Sequence, residues 1–159
     1  VAHATVAKWL DIFERLYLIF RIPPLASNRL RAVKKEQKHY HYNWADVEDA
    51  GARFENLVAS HLLKWVHFEQ DFNGRNIDLF YFRDTDKREV DFVIVENGEP
   101  LKAIECKLKS KTISQDLKYL KKKFPDIEAI QIFATDEKSF STKEGIIAHN
   151  WKSFLSLLI

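Results

Sequence analysis

The sequence contains no methionine and a single cysteine, Cys106, and its 25 basic residues nearly cancel its 23 acidic ones, leaving a net charge of +2. Each shortage removes a class of protein. One cysteine cannot build an internal disulfide framework and suits a reducing compartment. So small a charge permits nucleic-acid binding without arguing for it. No apolar run reaches the roughly 18 to 20 residues that a membrane-spanning helix needs, and the N-terminus lacks the order of a signal peptide, so a cytoplasmic protein with no membrane partner is expected. Neither an internal repeat nor a low-complexity tract is present. The pattern G-x-x-x-x-G-K-[ST] is missing too, so this stretch of chain is not expected to hydrolyse ATP. A start at Val1 that runs almost at once into an amphipathic pattern suggests a domain cut from a longer protein, with methionine excision as the alternative.

What is present is ordinary for a soluble α/β or α+β protein: 159 residues, 46% hydrophobic, 13% aromatic and 30% charged. That length allows one globular domain with a real core, or one domain plus a small appendage. "TVAKWLDIFERLYLIFRI" opens with Thr5 as a candidate N-cap and places Val6, Trp9, Leu10, Phe13 and Leu16 at helical spacing. From Leu18 a short strand follows, ended by Pro23-Pro24, and then a basic stretch, "RLRAVKKEQKHYHYN". Helix, strand and basic hairpin in that order resemble the last third of a winged helix; a helical lead-in packed on the main domain is the alternative. Arg29, Arg31, Lys34, Lys35 and Lys38 on this wing are the candidate nucleic-acid contacts. His39 and His41 read as solvated hairpin residues.

"NWADVEDAGARFENLVASHLLKWV" is the longest helical pattern, with Val47, Ala50, Phe54, Leu57, Val58, His61, Leu62 and Trp65 on one stripe and Asp46, Glu48 and Asp49 in its first turn. "IDLFYFRD", "REVDFVIVE" and "PLKAIECKL" are strand-like and joined by short turns, so they must form an antiparallel meander. "SQDLKYLKKKFPD" is a helix stopped before Pro125, long enough to cross over to a parallel strand, "IEAIQIFATD". "GIIAH" and a closing helix capped by Asn150 complete the chain. The expected fold is an α/β (α+β) mixed sheet with a helix on each face, residues 46–159, preceded by the winged-helix-like segment 1–45. Trp9, Trp44, Trp65 and Trp151 read as core anchors.

Asp91, Glu105 and Lys107 put charges into strands that should be apolar. Period 2 places Glu105 and Lys107 on one face. Asp91 joins them only in one register. A two-residue loop at Asn97-Gly98 pairs Glu96 with Glu99 and turns Glu105 away from Asp91. A three-residue loop, or an equivalent bulge, sets Asp91 opposite Glu105 and leaves Phe92, Ile94, Ile104 and Cys106 on the other face, which is the register expected. Two carboxylates that close repel, and a divalent cation relieves the repulsion. Oxygen ligands favour Mg²⁺ or Mn²⁺ over Zn²⁺, with the Cys106 carbonyl and Glu55 on the long helix as further ligands. Such a site supports metal-assisted phosphodiester hydrolysis, Lys107 placing the water or stabilising charge.

On these residues the sequence resembles the PD-(D/E)XK nuclease-like superfamily, and more closely a C-terminal domain of unknown function carried by prokaryotic AAA+-type ATP-binding proteins. The matching blocks are "G-x-x-F-E" at Gly51 to Glu55 and "R-E-V-D-F-V-I … I-E-C-K" from Arg88 to Lys107, and the resemblance covers most of the chain. It implies a restriction-endonuclease-like core, a catalytic set of Glu55, Asp91, Glu105 and Lys107, and DNA as substrate. It also implies an ATPase module upstream, where ATP would bind. Relatives often carry an aspartate where this chain has Asn43. Gln115 and Tyr119, spaced Q-x3-Y, resemble an auxiliary motif of exonuclease members. Other readings compatible with the sequence are a non-catalytic module that binds nucleic acid or a partner, and a homo-oligomerisation domain.

Overall fold

The computed structural model describes residues 2–25, 36–109, 112–136 and 138–158. Helix α1 (His3–Arg15) leads into a small antiparallel sheet of β1 (Ile19–Ile22) and β2 (Lys38–His41), then a short 3-10 turn, Trp44–Asp46, and the long helix α2 (Ala50–Asp71). The main sheet follows: β3 (Ile77–Arg83), β4 (Glu89–Glu96), β5 (Glu99–Lys107), helix α3 (Gln115–Lys123), β6 (Glu128–Phe133), β7 (Phe140–Ser141), β8 (Ile146–Asn150) and helix α4 (Trp151–Leu155). Its six strands lie in the order β3-β4-β5-β6-β8-β7. β3 to β5 form the antiparallel meander, and β5, β6 and β8 run parallel. The protein is therefore a mixed α+β fold, with four α-helices around two sheets among the described residues.

The apolar alternation of the strands builds two cores, one on each face of the main sheet. Phe92, Ile94, Ile104, Ile130 and Ile132 point to α2, which contributes Phe54, Val58, Ala59, Leu62 and Val66. Val90, Val93, Ala103 and Ala129 point to α3, which contributes Leu117 and Leu120. A parallel β5–β6 connection needs a crossover, and α3 supplies it. Ser114 accepts from the Leu117 amide at the start of α3, and Asn150 accepts from the Ser153 amide at the start of α4. Lys121 closes α3 by donating to the carbonyls of Pro125 and Ile127 at 2.7 and 2.8 Å.

The small sheet is seated on this frame. Phe20, Ile22 and Tyr40 belong to the same core as α2. Asn56, buried on α2, clips β2 with both ends of its amide: Nδ2 donates to the His41 carbonyl at 2.6 Å and Oδ1 accepts from the His41 amide at 2.8 Å. Beyond β1, the Tyr81 amide of edge strand β3 donates to the Pro23 carbonyl, and the Leu25 amide donates back to Tyr81. Two prolines fit there because an edge position asks for few donors.

Several local expectations change. Helix α1 begins at His3 behind Ala2, so Thr5 is inside the helix. The acidic stretch before α2 is no first turn: Asp46 ends the 3-10 turn, Glu48 precedes the helix, and Asp49 is the N-cap, accepting from the Ala52 amide. Val47 and Ala50 therefore fall outside the buried stripe. Trp65 and Trp151 are partly buried against the core, but Trp9 and Trp44 are 49% and 38% exposed and anchor nothing. Arg29, Arg31, Lys34 and Lys35 lie outside the described residues. No helix among the described residues is long and apolar enough to cross a membrane.

Candidate functional site

The β4–β5 hairpin decides whether the charges meet. Asn97 and Gly98 both have positive φ, 51° and 83°, the pairing of a two-residue hairpin turn of mirror-image type, and Glu96 pairs with Glu99. The three-residue loop is therefore corrected. The strand regains the same one-residue shift further along: Val95 pairs with Pro100 and Ile94 with Lys102, leaving Leu101 as the extra residue of a bulge. Pro100 brings no N–H to the ladder, so a break in pairing costs least beside it. Past the bulge Phe92 pairs with Ile104, and Asp91 stands one step on, level with Glu105.

At that level the two strands stop pairing. The Cys106 amide donates to Asp91 Oδ2 at 2.8 Å, which holds the carboxylate at the sheet's end. Glu105, 4% exposed, takes the Lys107 ammonium on Oε1 at 2.7 Å, while its Oε2 is buried and has no well-formed hydrogen bond among the described residues. Neighbouring β6 sets Gln131 beside Glu105. Gln131 is fully buried and its amide spans the loop before α3, accepting from the Ser114 amide at 2.8 Å and donating to the Thr112 carbonyl at 3.1 Å.

Lys38, expected as a nucleic-acid contact on the basic hairpin, begins β2 of that hairpin and turns its ammonium toward acidic residues. Its ammonium lies 2.7 Å from Glu89 Oε1, 3.1 Å from Glu55 Oε1 and 3.4 Å from Asp91 Oδ1. The alternation of β2 turns Tyr40 to the same side, and its hydroxyl donates to Glu55 Oε1 at 2.6 Å. Glu89 is two residues from Asp91 on β4, and its amide donates to Asp116 Oδ2 of α3 at 3.3 Å. A cleft of about 490 Å³ opens beside this cluster, lined by Lys38, His39, Glu55, Asn56 and Glu89 among others. His39 and His41 are exposed at its rim.

Electrostatics follow from the packing. Burial, then the neighbouring Glu105 and Glu55, push the Asp91 carboxyl up to about 7 against the pull of Lys38 and the Cys106 amide. Glu105 is raised by burial as well, with Lys107 opposing. For Lys38 burial works against the charge, but Asp91, Glu55 and Glu89 outweigh it and hold the ammonium well above the ordinary lysine range. Lys107 is shifted upward for the same reason, burial being overcome by Glu105 and Asp91. Burial and the surrounding carboxylates drive the Cys106 thiol far up, so it stays protonated and is no nucleophile.

The structure thus brings Glu55, Asp91, Glu105 and Lys107 to one end of the sheet and adds Lys38, Tyr40 and Glu89. Of the two auxiliary residues, Gln115 is exposed at the start of α3, and Tyr119 stacks with Phe82 and lies 4.2 Å from the Arg88 guanidinium. Glu89 was foreshadowed by the E-x-D spacing on its strand. Nothing in the sequence paired Lys38 with acids 17, 51 and 53 residues away.

Among the described residues no three His, Cys, Asp or Glu side chains stand grouped to hold a metal ion. The donor set nonetheless suits one particular kind of cation. Mg²⁺ and Mn²⁺ take carboxylate oxygens, and Mg²⁺ is commonly bound by one or two of them with water completing the shell. A buried carboxylate oxygen short of donors is costly, and Glu105 Oε2, which makes no well-formed hydrogen bond among the described residues, is such an atom, one step across the hairpin from Asp91, whose amide helps to offset the burial.

A mixed α+β domain whose meander ends in a partly neutralised acidic cluster is the class these features define. Residues 50–154 match the family described as a domain of unknown function, DUF4143, and the chain belongs to that family. The match runs from α2 to α4 and includes Glu55, Glu89, Asp91, Glu105 and Lys107; Lys38 and Tyr40 precede it. No curated protein and no solved structure matches the chain significantly.

Proposed function

We propose that this chain is a nuclease-like domain of the PD-(D/E)XK type, which hydrolyses phosphodiester bonds of DNA with Mg²⁺ or Mn²⁺ and works alongside an ATPase module of its full-length protein. The observation that carries this reading is the bulge-corrected register, which sets Asp91 level with the buried, half-unpartnered Glu105 carboxylate and keeps Lys107 on the same strand face. A helix, an antiparallel meander, a crossover helix and a parallel strand, in that order, are the arrangement that the nuclease-like core calls for.

Asp91 and Glu105 are the residues that would hold the cation, with Glu55 as a further ligand across the cleft. A bound divalent ion supplies Lewis acidity toward the scissile phosphate and makes a coordinated water more acidic. Lys107 stays an ammonium at neutral pH, so its part is to place the attacking water or offset the negative charge on the phosphoryl oxygens as the new O–P bond forms and the ester O–P bond breaks. Gln131 and Asn56 hold α3 and β2 in position around the strand ends.

One observation favours a second reading, a non-catalytic module that binds DNA or a protein partner: the Lys38 ammonium already occupies the space between Glu55, Glu89 and Asp91. A cleavage assay separates the two. The protein is incubated with linear, single-stranded and branched DNA in Mg²⁺ or Mn²⁺ beside its Asp91→Ala variant, with and without the ATPase half. Cleavage that needs the metal and vanishes in the variant is expected. Cleavage that survives the substitution overturns the site, and intact DNA under every condition leaves the binding module.

A further inference from the structure

An ammonium seated among three carboxylates makes the contacts that a small cation would make. Lys38 Nζ lies against three different acids, Glu89, Glu55 and Asp91, at 2.7, 3.1 and 3.4 Å, and donates to Glu55 and Asp91. Two of these acids, Glu55 and Asp91, belong to the set assigned to the divalent ion. Two positive charges cannot share those oxygens at contact distance, because like charges a few ångströms apart in a half-buried site repel strongly. One must yield. Meanwhile Lys107 holds the other oxygen of Glu105, and the buried Oε2 makes no hydrogen bond among the described residues.

We infer that Lys38 is a built-in competitor for the cation position, its ammonium and a divalent ion being alternative occupants of the oxygens of Glu55 and Asp91. The inference rests on the metal-dependent reading above and deepens it. The geometry also says how the exchange proceeds. β2 is fixed to α2 by the double clip of Asn56 on His41 and by the Tyr40 hydroxyl on Glu55, so the strand stays where it is and the flexible side chain moves. Glu89, the nearest of the three acids, lines the open cleft together with Lys38. Swinging out into the cleft, which Glu55 also lines, Lys38 would draw its ammonium away from Asp91 and vacate the cation position. Cation loading is thereby tied to a residue outside the stretch that matches the family.

Mn²⁺ binding to the protein is measured by calorimetry and by loss of the free-ion electron paramagnetic resonance signal, for the parent chain and for Lys38→Gln, Lys38→Met and Lys38→Arg. Removing the competing charge should tighten Mn²⁺ binding by about tenfold or more in the Gln and Met variants, whereas Arg, which keeps the charge, should bind as weakly as the parent. Adding Asp91→Asn to Lys38→Gln should abolish the gain. Mn²⁺ should also raise the melting temperature of Lys38→Gln more than that of the parent, a readout independent of any activity. Equal or weaker Mn²⁺ binding by the Gln and Met variants, with the parent still binding, overturns the competition and leaves the metal site standing. No Mn²⁺ binding and no thermal response in any variant overturns both, and makes Lys38 the permanent partner of these acids.

Discussion

Helices α1 and α2 carry apolar stripes of the same spacing and meet different fates. On α2, Phe54, Val58, Ala59, Leu62 and Val66 are buried under the main sheet and the small sheet. On α1, Val6, Trp9, Ile12 and Phe13 remain 40 to 49% exposed, and no described residue of the helix is buried. An amphipathic pattern reports that a face exists; what covers it depends on neighbours far along the chain. The same contrast holds between the strands. β1 and β2 are short, but their inner residues Phe20, Ile22 and Tyr40 share α2's core, so the charged cluster is built partly from the segment that precedes the family match.

The sharpest break of that comparison comes from one truncation on each helix. Leu62→Ala, at a site with no exposure, should cost about 2–5 kcal/mol in urea unfolding. The matching change at the other end of the ranking, Trp9→Ala, should move the midpoint by no more than about 0.5 kcal/mol. An equal loss from both would mean that α1 packs as α2 does.

Asn56→Ala is the next largest effect, because it leaves the His41 amide and carbonyl without their partner. A cost of about 1–3 kcal/mol is expected, together with faster hydrogen exchange at β2 while β4 to β6 remain protected. Uniform loss of protection would show that the small sheet is no separate unit.

A smaller effect is set by pH. The Asp91 carboxyl is raised in the folded state, so between its unfolded value near 3.8 and its folded value near 7 the folded protein holds a proton that the unfolded chain has released. Its contribution to stability is present below the lower value and is lost as pH rises through the upper one. Asp91→Asn should therefore flatten the fall in stability between pH 4 and 8, by on the order of 1–2 kcal/mol at the alkaline end. Stability curves of variant and parent that stay parallel across this range would remove the carboxyl from the site's electrostatics. In the same window Mn²⁺ binding to the parent should tighten as pH rises to about 7, since the cation competes with that proton.

Much of this protein could be read from residue order alone. Local rules suffice for the helix and strand pattern, for the caps at Ser114 and Asn150, and for the placing of Glu105 and Lys107 on one strand face, because each depends on neighbours within a few positions. The antiparallel meander and the parallel β5–β6 pair followed from connection lengths. The level of Asp91 with Glu105 was expected, but through a three-residue loop; the chain makes the two-residue turn at Asn97-Gly98, and a bulge at Leu101 reverses the register that this turn alone would impose. Tertiary structure decided the rest: which apolar stripe is covered, and above all where the Lys38 ammonium goes. An ion pair between residues tens of positions apart leaves no periodic trace in a sequence. It exists because the Asn56 clip seats β2 against α2 and thereby aims a lysine from one sheet at the carboxylates of another.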